Sequence, residues 1–85
     1  MANDRLYNIW RGIKKRCRLK TNHGYKWYGA KGIDVCDDWY DSYEKFRDWS
    51  LKNGYKEGLT IDRIDVDGDY EPNNCRWIDW TLGQF

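Results

Sequence analysis

Asp62-Arg63-Ile64-Asp65-Val66-Asp67-Gly68-Asp69-Tyr70-Glu71-Pro72-Asn73-Asn74-Cys75-Arg76-Trp77 is the stretch on which the fold turns. Leu59, Ile61 and Ile64 place a strand through Thr60-Ile61-Asp62-Arg63, Asp67-Gly68 marks a turn, and Cys75-Arg76-Trp77-Ile78 reads as the return strand. The five acids of this stretch supply oxygen ligands of the kind a hard cation takes. A calcium-binding EF-hand does not fit. Counted from Asp65, the sixth position is Tyr70 where glycine is needed, and the twelfth is Arg76 where a bidentate glutamate is needed.

Upstream of the hairpin, a helix is expected from Ser42 to about Lys52. Asp41 with Glu44 forms a capping box at its start, and Asn53-Gly54 ends it. Tyr43, Phe46 and Trp49 share a face, with Trp39 one turn earlier. Ile33-Asp34-Val35-Cys36 alternates like a short strand, and Thr21 to Gly32 is a polar, glycine-punctuated loop. Nearer the start, Leu6, Ile9, Trp10, Ile13 and Cys17 recur at three- and four-residue steps, the pattern of an amphipathic helix capped by Asn3 or Asp4. The whole predicts one α+β domain over residues 1–85: two helices packed on a small antiparallel sheet that ends in the C-terminal hairpin. Leu6, Ile9, Trp10, Ile13, Phe46, Trp49, Ile61 and Trp77 are expected to form a single core.

A chain of 85 residues has room for one domain. Domains so short bury only roughly 60% of their unfolded surface, so large side chains must carry the core. The 6 Trp, 7 Tyr and 2 Phe supply that area and are read first as a stabilising device. Asp4 and Arg5 charge the N-terminus and no apolar run follows them, so neither a secretory leader nor a membrane partner is expected. Cys17, Cys36 and Cys75 are odd in number and widely spaced, which reads as reduced thiols in a cytoplasmic protein. With His23 they have the chemistry of a structural zinc set. No Cys-x-x-Cys pair exists, however, and buried free cysteine is the reading the pattern favours.

The net charge of +1 hides an asymmetry. Residues 1–33 hold nine Lys/Arg against Asp4 alone, whereas residues 34–85 hold six Lys/Arg against thirteen Asp/Glu. Either the two halves attract each other or the basic half meets an anionic partner. Arg11, Lys14, Lys15 and Arg18 on the first helix, followed by Lys26 and Lys31 among Tyr25, Trp27 and Tyr28, combine cations for phosphates with rings for bases. These six cations are the candidate nucleic-acid contacts, with DNA as the partner. The alternative is a solvated helix face with its aromatics buried.

The hairpin stretch resembles the ββα-metal finger of HNH-type endonucleases. The likeness is strongest to small phage-encoded proteins with an Asp-Arg-Ile-Asp, Gly-x-Tyr-x-Pro, Asn-Cys-Arg-Trp pattern, matched here by Asp62–Asp65, Gly68–Pro72 and Asn74–Trp77. Tyr28-Gly29-Ala30-Lys31-Gly32-Ile33-Asp34-Val35-Cys36-Asp37-Asp38-Trp39 resembles the Tyr-Gly-Gly-Arg-Gly-Ile segment of the same proteins, and with Trp10 and Cys17 the likeness covers most of the chain. The resemblance implies that Asp62 is the metal ligand, that Asn74 braces the loop, and that Mg²⁺ or another divalent cation is the cofactor. Arg63 stands where the family's general-base histidine belongs, and the last ligand position falls near Gly83 or Gln84. Arginine stays protonated at neutral pH and is no ordinary base, though it can clamp phosphate. The expected function is therefore nucleic-acid binding in a phage or mobile-element setting on a degenerate HNH-like scaffold, with catalysis weak or absent. Two alternatives stand beside it: a divalent-metal-dependent DNA nickase using Asp62, Arg63 and Asn74, and an inhibitor of a host defence or replication protein whose acidic half mimics DNA.

Overall fold

The structure, a computed structural model, describes residues 4–79. Helix α1 (Asp4–Arg18) is followed by single 3-10 turns at Tyr25–Trp27 and Gly29–Lys31, then by helices α2 (Asp37–Asp41) and α3 (Tyr43–Lys52). Strand β1 (Leu59–Arg63), a 3-10 turn at Pro72–Asn74 and strand β2 (Cys75–Asp79) complete the described chain. The fold is a small α+β arrangement, as expected, with helices against a two-stranded antiparallel hairpin. The cap of α1 expected at Asn3 or the side chain of Asp4 lies outside the described residues.

The hairpin matches the sequence reading, each strand gaining one residue. Its register sets Ile61 opposite Trp77 and Asp62 opposite Arg76. Ile61 and Trp77 pack against the core, while Arg76 Nε donates to the Asp62 carboxylate at 2.9 Å.

Two local expectations are corrected. The cap of α3 is Ser42, not Asp41: the Ser42 hydroxyl accepts from Lys45 N at 3.3 Å. Asp41 is the last residue of α2 and so is already helical, whereas an N-cap must be extended, as Ser42 is at φ −143° and ψ 110°. Residues 33–36 do not form a sheet strand. They make one parallel bridge, Val35 to Tyr70, with Tyr70 N donating to Asp34 O and Cys36 N donating to Tyr70 O, both at 2.9 Å, before the chain turns into α2.

Short α2 positions Trp39, which the sequence had set only as a neighbour of the next helix. Its ring lies edge-on to Phe46 at 5.0 Å and 4.7 Å from Trp49, and its carbonyl accepts from Trp10 Nε1 at 2.6 Å. Of the eight expected core residues, Leu6, Ile13 and Phe46 are fully buried, and Ile9, Trp10, Trp49, Ile61 and Trp77 pack half-buried around them. Cys17, Ile33, Val35, Trp39, Tyr70 and Cys75 complete the same cluster. The loop after α1 is held close by Gly29, where a Cβ would stand 2.2 Å from the Cys17 carbonyl and 2.4 Å from the Tyr25 ring. No helix among the described residues is long and apolar enough to cross a membrane.

Candidate nucleic-acid interface and hairpin cleft

Helical periodicity divides α1 into three stripes. Leu6, Ile13 and Cys17 face the core. Arg11, Lys14, Lys15 and Arg18 line a shallow groove of about 320 Å³ together with Leu19 and Tyr40. Arg5, Ile9, Gly12 and Arg16, at steps of four, three and four, face the hairpin.

The four groove cations are not equivalent. Arg18 grips Asp34 through two hydrogen bonds of 2.9 and 3.0 Å and lies 3.8 Å from the centre of the Tyr40 ring. The Arg18 hydrogen bond holds the Asp34 carboxyl below the usual carboxylate range. Lys14 Nζ sits 4.0 Å from the Trp10 ring centre and 4.6 Å from that of Tyr40. Arg11 and Lys15 are exposed and have no carboxylate partner among the described residues. Arg11 lies 5.9 Å from the centre of the Tyr7 ring, so of the four Lys15 alone has neither a carboxylate nor a ring partner among the described residues. Lys26 and Lys31 flank Trp27, at 5.0 and 5.7 Å from its ring centre, and that ring is 57% exposed. Tyr25 and Tyr28, expected beside Trp27, are half-buried instead. Tyr25 lies against Gly29, and Tyr28 stacks on Tyr70 at 6.1 Å.

Asp62 and Arg63 end β1, and Asn74 immediately precedes β2. The Asn74 side chain spans the intervening loop: its Oδ1 accepts from Asp65 N at 2.9 Å, and its Nδ2 donates to the carbonyls of Asp65 (3.1 Å) and Asp69 (3.0 Å). Gly68 lies beneath it, where a Cβ would come within 2.7 Å of that Nδ2. Arg63 ties the same loop from the other strand, Nη1 donating to the carbonyls of Val66 and Gly68. Its guanidinium also lies 5.1 and 5.3 Å from the Tyr28 and Tyr70 ring centres. Asp62 is engaged by Arg76. No three His, Cys, Asp or Glu side chains among the described residues form a set able to hold a metal ion, and the ligand position expected near Gly83 or Gln84 lies outside those residues.

Asp62 and Arg63 open onto a cleft of about 530 Å³ between α1 and the hairpin. Its other polar lining comes from Arg5, Asn8, Arg16, Tyr28, Thr60 and Tyr70, of which the sequence reading had named Tyr28 among the rings for bases and had placed none in this cleft. A signal for Arg5 and Arg16 existed in the i, i+4, i+7, i+11 series from Arg5 through Ile9 and Gly12. His23 is exposed in a turn and does not line the cleft.

The three thiols are free and do not converge with His23. Burial pushes the Cys17 thiol up to about 11 and the Cys75 thiol up to about 12. Cys36, half-buried, is also raised by desolvation.

Comparison with protein-family models, with curated proteins and with solved structures found no match to this chain.

Proposed function

We propose that this protein binds nucleic acid through the outer face of α1. The observation that carries the reading is the groove in which Arg11 and Lys15 stand exposed, with no carboxylate partner among the described residues, beside Lys14 and Arg18. Exposed cations carry no desolvation cost and stay open to an anionic partner, whereas Arg18 is already held by Asp34. A row of free cations on a rigid helix meets phosphates at fixed spacing and gains from counterion release. The exposed Trp27 ring between Lys26 and Lys31 adds a face on which a base can stack.

The reading is of binding rather than cleavage. Asp62 is neutralised by Arg76, and Arg63, which gives Nη1 to the loop carbonyls, bears a permanent charge that opposes a cation approaching Asp62. The likeness to HNH-type phage proteins supports a scaffold of nucleic-acid chemistry in which this site has become structural.

The direct test is fluorescence anisotropy with labelled single- and double-stranded oligonucleotides. Arg11→Ala with Lys15→Ala should weaken binding at least about tenfold, as the loss of two phosphate contacts does. Equal affinity of the double variant and the wild type would remove the proposal.

A further inference from the structure

We propose that the cleft between α1 and the hairpin is a second, separate anion site that takes a phosphate group between Arg16 and Arg63. Three arginines, Arg5, Arg16 and Arg63, line it, and none has a carboxylate partner among the described residues. The lone acid in the lining, Asp62, is already paired with Arg76. Arg5 is satisfied by neutral groups, the carbonyl of Leu59 at 2.6 Å and the hydroxyl of Tyr55 at 3.2 Å.

Arg16 is different. Its Nη2 donates to the Tyr70 hydroxyl at 3.2 Å, but its Nε is buried and has no partner. A buried N–H left unbonded is rare and costly. The Arg16 and Arg63 guanidinia also lie over the same two rings, at 5.1 Å each from Tyr28 and at 5.8 and 5.3 Å from Tyr70. Two like charges are thus gathered on one aromatic pair beside an open cavity. A phosphate in the cleft neutralises the pair, and its oxygens accept from Arg16 Nη1, the nitrogen that lies toward Gly12 of the cleft lining, and from the Arg63 nitrogens not given to the loop.

The stem of Arg16 is held in place for this. A Cβ on Gly24 would come within 2.9 Å of both its Cγ and Cδ, so the glycine lets the chain lie flat against it. Gly12 leaves the cleft open from the helix side, since a Cβ there would meet only Arg16 Nη1, at 3.7 Å.

That last distance provides the test. Gly12→Asp sets a carboxylate beside Arg16, in the place assigned to the phosphate, at an i, i+4 spacing that suits the pair. Thermal unfolding is measured in inorganic phosphate against chloride of matched ionic strength. Wild type and the neutral Gly12→Asn control should gain about 5 °C or more at saturation. Gly12→Asp and Arg16→Gln should lose that phosphate-specific gain, and Gly12→Asp should melt above Gly12→Asn without phosphate. An equal phosphate gain in all four proteins, or none in wild type, overturns the proposal. Tetranucleotides with and without a 5′-phosphate then identify the source: a gain only with the 5′-phosphate assigns a terminal phosphate, equal gains assign the backbone, and response to inorganic phosphate alone assigns a small free ligand. The site does not rest on the α1 groove, because Arg11→Ala with Lys15→Ala should keep the full response to phosphate even if nucleic-acid binding fails.

Discussion

Arg63 and Asn74 hold one loop from its two ends. Arg63 donates to the carbonyls of Val66 and Gly68, and Asn74 bonds Asp65 N and the carbonyls of Asp65 and Asp69. An acidic, glycine-containing segment thereby acquires a fixed path between the strands. Arg63 is thus a structural tie of this loop through Nη1.

That relationship makes a direct prediction. Asn74→Ala and Arg63→His should each destabilise the fold by about 1–3 kcal/mol in urea unfolding, because each strands loop groups that now have partners. Arg63→His should not create Mg²⁺-dependent plasmid nicking. A histidine variant of full stability that nicks DNA would show that Arg63 merely occupies a working site.

Core energetics centre on Phe46, which is fully buried and touches the rings of Trp39, Trp49 and Trp77. Phe46→Ala should cost about 3–5 kcal/mol, close to the whole stability of so small a domain. Leu51, on the same helix but 55% exposed, should tolerate alanine within about 0.5 kcal/mol. Similar costs at both positions would mean that α3 packs in another orientation.

The hairpin and α1 were legible in the sequence because each carries a pattern longer than its period: alternation through Leu59–Arg63, and the three-and-four spacing from Leu6 to Cys17. Helix α2 was not, because five residues with one buried side chain give no periodicity to read. The Ile33–Cys36 alternation was genuine but marks burial of Ile33 and Val35, with Tyr70 supplying a one-residue bridge in place of a neighbouring strand. The groove cations were identifiable from composition. That Asp34 claims Arg18, and that Arg16 and Arg63 share two tyrosines, depends on contacts across tens of residues that no local pattern encodes.

The raised thiols of Cys17 and Cys75 fix a sign at alkaline pH. Each stays protonated in the native state where the unfolded thiol has already ionised, so the stability they contribute is full below about pH 9 and falls as pH rises toward 11 and 12. At pH 8 a thiol reagent should therefore label half-buried Cys36 first, and reach Cys17 and Cys75 only in denaturant, as read by peptide mass mapping. Rapid native labelling of Cys75 would contradict the packing described.

The Arg18–Asp34 pair sets the opposite dependence. The Asp34 carboxyl is lowered by its hydrogen bond from Arg18, so its contribution is present above the ordinary carboxylate range, near pH 4, and is lost as pH falls through the depressed value. Both side chains are partly exposed, at 40% and 44%, so solvent screening limits the effect to about 0.5–1 kcal/mol. Asp34→Asn should flatten the acid limb of the stability profile below pH 4, and it should also soften the alkaline limb, because the Asp34 charge adds to the burial that raises the Cys17 thiol. An unaltered acid limb would remove the pair from the account.

The central claim, that free cations of α1 engage nucleic-acid phosphates, is tested most directly by the salt dependence of DNA binding. The slope of log affinity against log salt should decrease in magnitude by roughly one unit for each of Arg11→Ala and Lys15→Ala, with the preference among oligonucleotide sequences unchanged. Identical slopes for wild type and the double variant would contradict the account, because these cations would then release no counterions on binding.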